Sequence, residues 1–214
     1  MDKKYILMDL DGTLTDPFYG ITRSIQYALK HCGIVENDLQ KLTPFIGPPL
    51  VDSFREIYQF SHQQAVEAIG YYREYFVKQG WSENKVYPGM EDFLKQQRAL
   101  GRQLYVATSK PEELAIKILE HFGLSRYFEY IGGDTMEHTR TDKAEVIRYV
   151  LQYAGITQLE KTIMIGDRKF DINGAHQAGI ECIGVLYGYG SREELKNAGA
   201  DILVDSIEEL SRIM

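Results

Sequence analysis

At 214 residues the chain is about one and a half typical domains long. That admits one large domain or a core with a smaller insert, and it argues against a disulfide scaffold or a fold of Greek-key strands alone. Hydrophobic residues make up 44% and charged residues 26%, which is enough to bury a real core. The formal charge of −7, from 24 basic and 31 acidic residues interspersed along the chain, argues against nucleic acid or an anionic membrane as a partner.

Cys32 and Cys182 are far apart and outside any Cys-x-x-Cys pair, so they read as small hydrophobes of a reducing compartment. The apolar run Tyr5 to Met8 is too short for a secretory segment of about 7–15 residues. No other stretch approaches the roughly 18 apolar residues of a membrane helix. The expectation is a soluble, cytoplasmic protein.

Tyr5 to Met8 reads as a buried strand closed by the turn Asp9-Leu10-Asp11-Gly12. From Thr15 to about Glu83 the apolar spacing is helical, with Ile21, Ile25, Leu29 and Cys32, then Leu50, Phe54, Ile57 and Tyr58, then Val66, Ile69, Tyr72 and Phe76. Gly33 and Gly47-Pro48-Pro49 separate these helices. Beyond Val86 helices and strands alternate: helix Met90 to Leu100, strand Leu104 to Ala107, helix Pro111 to Phe122, strand Tyr130-Ile131 and helix Asp142 to Ala154. There follow strand Thr162 to Ile165, helix Asp171 to Ala178, strand Cys182 to Leu186, a helix opened by a Ser191 to Glu194 capping box, strand Ile202 to Val204 and helix Ile207 to Ile213. This succession predicts a mostly parallel sheet covered on both faces. An all-helical insert over 15–83 interrupts an α/β core of 1–14 and 84–214, with hinges near Thr15 to Pro17 and Ser82 to Tyr87.

In open α/β sheets ligands bind beyond the carboxyl ends of the strands. There stand Asp9, Asp11, Gly12 and Thr13; then Thr108, Ser109 and Lys110; then Gly166, Asp167 and Asp171; Lys143 opens the helix after the third strand. Four carboxylates at one rim repel one another unless something positive sits among them. A hard divalent cation meets that need, and Mg²⁺ is favoured because it uses few carboxylates and keeps water or substrate oxygens. Asp-x-Asp-Gly is also a common turn. A calcium loop fails, since Gly12 comes too early and Gly20 stands at the twelfth position.

Asp9-Leu10-Asp11-Gly12-Thr13-Leu14, Thr108 after an apolar strand, Lys143, and Gly166-Asp167-Arg168-Lys169-Phe170-Asp171 together resemble the four motifs of the haloacid dehalogenase superfamily. Phe45-Ile46-Gly47-Pro48-Pro49-Leu50 and Gly184 to Gly190 resemble its phosphoglycolate-phosphatase-like branch. The resemblance implies a Rossmann-like core with an inserted α-helical cap and a Mg²⁺-dependent phosphatase acting on a small phosphorylated metabolite. Asp9 is then the nucleophile that becomes an aspartyl-phosphate, and Asp11 the acid and base. Thr108 and Lys143 hold the phosphoryl group. Asp9, Asp167 and the Asp11 carbonyl are the metal ligands, and Asp171 binds through water or orients Lys143.

Ser109 to Glu112 has capping-box spacing, which would aim backbone N–H groups at a phosphate. Phe18, Tyr19, Arg23 and the turn with Phe45, Gly47 and Pro48 are candidates for the pocket roof, while Arg168 and Lys169 suit pairing with acidic neighbours. His31, His62, His121, His138 and His176 have no ligand spacing and read as surface residues. The alternatives are a sugar phosphomutase, a phosphonatase using Lys30, and a non-catalytic protein on the same fold.

Overall fold

The computed structural model describes residues 1–136 and 139–214. Tyr5–Met8 forms the first strand (β1), in which Ile6, Leu7 and Met8 are fully buried, as expected of a strand with parallel neighbours on both sides and covered faces. After Thr15–Asp16 (β2) come the helices Phe18–His31 (α1), Leu50–Tyr58 (α2) and His62–Lys78 (α3), then Lys85–Val86 (β3). β2 and β3 form a separate two-stranded sheet. The chain continues with Met90–Ala99 (α4), Gln103–Pro111 (β4), Glu112–His121 (α5), Tyr130–Asp134 (β5) and Lys143–Tyr153 (α6). It ends with Thr162–Gly166 (β6), Lys169–Gln177 (α7), Glu181–Val185 (β7), Arg192–Asn197 (α8), Ile202–Val204 (β8) and Ile207–Ile213 (α9).

The six-stranded sheet has the order β5-β4-β1-β6-β7-β8, and each adjacent pair runs parallel. It is an α/β fold. From β1 the chain builds outward through β4 and β5, then returns to the other side of β1 for β6. At such a reversal the loops beyond the strand ends diverge and open a crevice, so the residues after β1, β4 and β6 face one another. Beneath it Leu7, Tyr105, Met164 and Cys182 of the sheet pack with Val146, Ile147 and Val150 of α6 and Ile172 and Ala175 of α7.

Two compact units emerge, Met1–Asp16 with Val86–Met214, and Pro17–Lys85. In the second, Ile21, Ile25, Ala28 and Leu29 of α1 are buried at helical spacing, as are Ala65, Ala68, Ile69, Tyr72 and Phe76 of α3, and the two helices pack together. Gly20 permits a close backbone approach, because a Cβ there would stand 2.2 Å from the Gly80 carbonyl oxygen. Ser61 and Gln64 form a capping box at the start of α3, with reciprocal hydrogen bonds of 3.2 and 2.9 Å.

Three expectations fail locally. Ser109 caps no helix: β4 runs on to Pro111, which is the N-cap of α5 and carries no acceptor for a side-chain cap. The N–H of Lys110 is taken by Thr108 Oγ1 at 3.3 Å, so that donor is not held by a Ser109 cap. Phe45 is 1% exposed and packs edge-on against Phe54 at 4.9 Å; it is a core side chain, not a pocket-lining one. α7 also starts two residues earlier than the apolar pattern suggests, since Asp171 at its third position returns its carboxylate to the Arg168 N–H at 3.0 Å. His31, His62, His121 and His176 are exposed, and His138 lies outside the described residues. Among the described residues no helix is long and apolar enough to cross a membrane.

Candidate active site

Asp9 follows β1 directly, and its N–H donates to Ile165 O at 2.9 Å, extending the ladder with β6 by one residue. The chain then turns tightly, with the N–H groups of Leu14 and Thr15 both donating to Leu10 O at 2.9 and 3.0 Å. Gly12 sits at φ +86°, and a Cβ on it would stand 2.2 Å from Asp167 Oδ2. Only glycine satisfies both the backbone and the neighbour.

Lys143 is the first residue of α6, whose N-cap Asp142 accepts from the Ala144 N–H at 2.7 Å. Its side chain runs inward. Nζ donates to Asp9 Oδ1 at 2.7 Å and to Ala107 O at 3.0 Å, and stands 2.8 Å from Asp171 Oδ1. Burial alone would discharge this ammonium, but the carboxylates of Asp171 and Asp9 outweigh it and hold its pKa above the ordinary lysine value. A cation in the first turn of a helix is otherwise disfavoured; here two buried anions account for it.

Asp167 is fully buried, with Oδ1 accepting from the Thr13 hydroxyl at 3.4 Å and Oδ2 from the Tyr189 N–H at 2.8 Å. One carboxylate oxygen from each of Asp9, Asp167 and Asp171 lies within 4.8 Å of the others. Burial, followed by the charges of Asp171 and Asp9, pushes the Asp167 carboxyl well above its usual range. Burial also takes Asp171 up to about 6, with Lys143 opposing and Asp9 adding to the shift. Three crowded carboxylates with one lysine remain short of positive charge, and this set of hard oxygen donors fits a divalent cation such as Mg²⁺.

Asp11 points elsewhere. Its Oδ2 pairs with Lys110 Nζ at 2.7 Å, and burial raises its carboxyl pKa although Lys110 opposes the shift. Thr108, 1% exposed, lies within β4, three residues before its end. Sequence reasoning placed Lys110 at this rim without giving it a task; its position two residues after Thr108 was the available signal. The loop after β7, within the stretch Gly184 to Gly190, carries a family resemblance in the sequence, which assigns it no task at the site. There Tyr187 donates its hydroxyl to Thr13 O at 3.2 Å, Tyr189 donates its hydroxyl to Asp16, and the Tyr189 N–H holds Asp167. Arg168 Nε donates to Glu194 at 2.9 Å, and Glu194 also accepts from the Lys169 N–H.

The glycines of that loop are sites of close approach, since a Cβ on Gly190 would stand 1.9 Å from the Asp167 carbonyl oxygen. Gly190→Ala should therefore cost about 1–3 kcal/mol by overpacking, read as a lower urea midpoint with an unchanged slope. Gly101→Ala, which has nothing within 4 Å of its Cβ and a φ of +77°, supplies the comparison for backbone strain alone.

The remaining candidates lie in the helical unit. Arg23 pairs with Glu83 at 2.9 Å and stacks over Tyr19 at 4.8 Å, while Phe18 meets Tyr19 edge-on at 5.0 Å. Gly47 and Pro48 are half-buried, and Gly47 has φ +105°.

A parallel sheet with an acid–lysine cluster at its switch point defines a hydrolase core of the haloacid dehalogenase type. The family profile for haloacid dehalogenase-like hydrolases matches residues 6–185, and the chain belongs to that family. A 5'-nucleotidase of Pseudomonas aeruginosa is 49% identical over 191 residues, 89% of this chain and 86% of its own. The tyrosine-protein kinase PtkA of Mycobacterium tuberculosis is 36% identical, covering 96% of this chain and 70% of its own. A phosphoglycolate phosphatase of Chromobacterium violaceum is 32% identical, with 99% and 96% covered. The crystal structure of a predicted phosphatase from Clostridium acetobutylicum superposes with a TM-score of 0.95 at 47% identity, covering 99% of this chain and 97% of that one.

Proposed function

We propose that the protein is a Mg²⁺-dependent phosphatase that hydrolyses small phosphate monoesters, nucleoside 5'-monophosphates foremost, through an aspartyl-phosphate on Asp9. The observation that carries this reading is the convergence of Asp9, Asp167 and Asp171, with Lys143 on Asp9 and Asp171 and Lys110 on Asp11. The 5'-nucleotidase relative, 49% identical over most of both chains, supports the nucleotide as substrate class.

Lys143 holds Oδ1 of Asp9, which leaves Oδ2 as the oxygen that attacks phosphorus. Covalent catalysis of this kind splits one of the slowest uncatalysed hydrolyses into two easier steps. As the bond from Asp9 to phosphorus forms, the bond from phosphorus to the alcohol oxygen breaks, and Asp11 gives that oxygen its proton. In the second half Asp11 takes a proton from water as the water oxygen bonds to phosphorus and Asp9 departs. Thr108 donates its hydroxyl to the phosphoryl group, and the Lys143 ammonium offsets its charge. Asp9 and Asp167, with the Asp11 carbonyl and Asp171 beside them, would hold Mg²⁺, which when bound neutralises the transferring phosphoryl oxygens. The helical unit Pro17–Lys85 is the insert that sets specificity.

Purified protein assayed against a panel of phosphorylated metabolites should release inorganic phosphate with Mg²⁺, lose that activity in EDTA and regain it on Mg²⁺ addition. Full turnover without metal would overturn the ligand assignment. Mg²⁺ should also raise thermal stability by about 2.7 kcal/mol at a hundred times its Kd, a gain that Asp167→Asn should abolish.

A further inference from the structure

Lys110 is a second buried cation in the crevice, and the reading above gives it no task. It is 9% exposed, and its Nζ stands 2.7 Å from Asp11 Oδ2. Its backbone is held as well. The Lys110 N–H donates to Thr108 Oγ1 at 3.3 Å, within the stretch where β4 shifts register against β5 between Ala107 and Pro111. Such an irregularity re-aims a side chain relative to a plain strand. The other oxygen of the same carboxylate, Asp11 Oδ1, is buried without a hydrogen-bond partner among the described residues. A buried carboxylate oxygen with no donor is costly, so one fixed in that state invites a functional explanation.

We propose that Lys110 is a positioning residue for the proton transfers of Asp11. By gripping Oδ2 it fixes the plane of the carboxyl group and presents Oδ1 to the oxygen of the departing alcohol. Lysine suits the task, since its ammonium carries three donors and no acceptor on a compact end and grips one oxygen without covering the other. This rests on the aspartyl-phosphate reading. As Asp9 bonds to phosphorus, the electron pair of the broken bond stays on the alcohol oxygen, which receives the proton from Oδ1. In the second half the water proton returns to Oδ1, and the electron pair of the acyl-phosphate bond returns to Asp9. Lys110 itself gives up no proton in either half.

The leaving group separates this role from others, because a poor leaving group needs a proton and a stable anion does not. kcat/KM, which covers the steps up to departure of the alcohol, is to be measured with AMP and with p-nitrophenyl phosphate. Lys110→Met should lower it about 100-fold for AMP, at the low end of general-acid effects, and less than about tenfold for the nitrophenyl ester. Asp11→Asn should show the same contrast. The double variant Lys110→Met/Asp11→Asn, which removes both buried charges and so leaves neither unpaired, should be no slower than Asp11→Asn alone. Equal losses on the two esters, or losses that add in the double variant, would assign Lys110 to phosphoryl binding or to the fold and overturn the proposal. If Asp11→Asn itself loses equally on both esters while the wild type still releases phosphate, the acid role of Asp11 fails and the proposal falls with it; no phosphate release by the wild type at all would sink the phosphatase reading instead.

Discussion

Asp9→Asn should lower kcat on every phosphate monoester by at least about 10⁴-fold, the scale seen when a covalent nucleophile is removed. An amide at this position keeps the shape of the side chain and can still lie beside Lys143, now 2.7 Å from Asp9 Oδ1, but it is a poor nucleophile and carries no charge. The fold should survive, because the substitution relieves repulsion with Asp167 and Asp171, both of which feel the Asp9 charge. Thermal unfolding should therefore show a midpoint no lower than wild type in metal-free buffer, while rapid quenching with radiolabelled substrate shows no acid-stable phosphoprotein. Near-normal phosphate release by this variant would sink the covalent mechanism.

Lys143→Met should damage both activity and stability. The lysine is 6% exposed, and its removal strips the cation from Asp9 and Asp171 together. Breaking a buried ion pair from one side costs roughly 3–5 kcal/mol, and kcat should fall by about 10²–10³-fold through loss of charge stabilisation at the phosphoryl group. The stability loss should depend on pH in a definite direction. Asp171 stands at about 6 with the lysine in place, against an ordinary value of 3.8, and its removal takes away an influence that lowers that value. In the folded variant this carboxyl binds a proton at pH 5 that the unfolded chain does not. Folded-state stability therefore rises as pH falls through that window. Urea unfolding in EDTA at pH 5 and pH 8 should show the variant closer to wild type at the lower pH. An equal deficit at both would mean that the lysine is held for packing, with its charge of no consequence.

Much of the fold was legible because its signals are local. The apolar run Tyr5 to Met8, the helical spacing of α1 and α3 and the glycines behind α4 and α6 each depend on a few neighbouring residues, and the elements form where those patterns lie. Ser109 misled because capping-box spacing is only a necessary condition. β4 runs on through Ser109 to Pro111, its register against β5 shifting between Ala107 and Pro111, so no helix starts at Ser109. Phe45 misled for a related reason: a turn flanked by glycine and prolines looks exposed, yet its ring had Phe54 and Tyr58 to pack against. Neither partner can be read from the turn itself.

By itself the sequence determined which residues stand at strand ends and helix starts, since these positions follow from short-range periodicity, turn chemistry and capping. It thereby led to the expectation that Asp9, Thr108, Lys143 and Asp167 share one rim of a parallel sheet. Only the tertiary structure decided their partners. Lys143 meets Asp9 across 134 residues of chain, Tyr189 reaches back 22 residues to hold Asp167, and Lys110 pairs with Asp11. Each of these contacts depends on the strand order that brings remote residues within about 3 Å, the range of a hydrogen bond. No local pattern encodes such distances, because the energy that fixes them comes from burying the whole sheet at once.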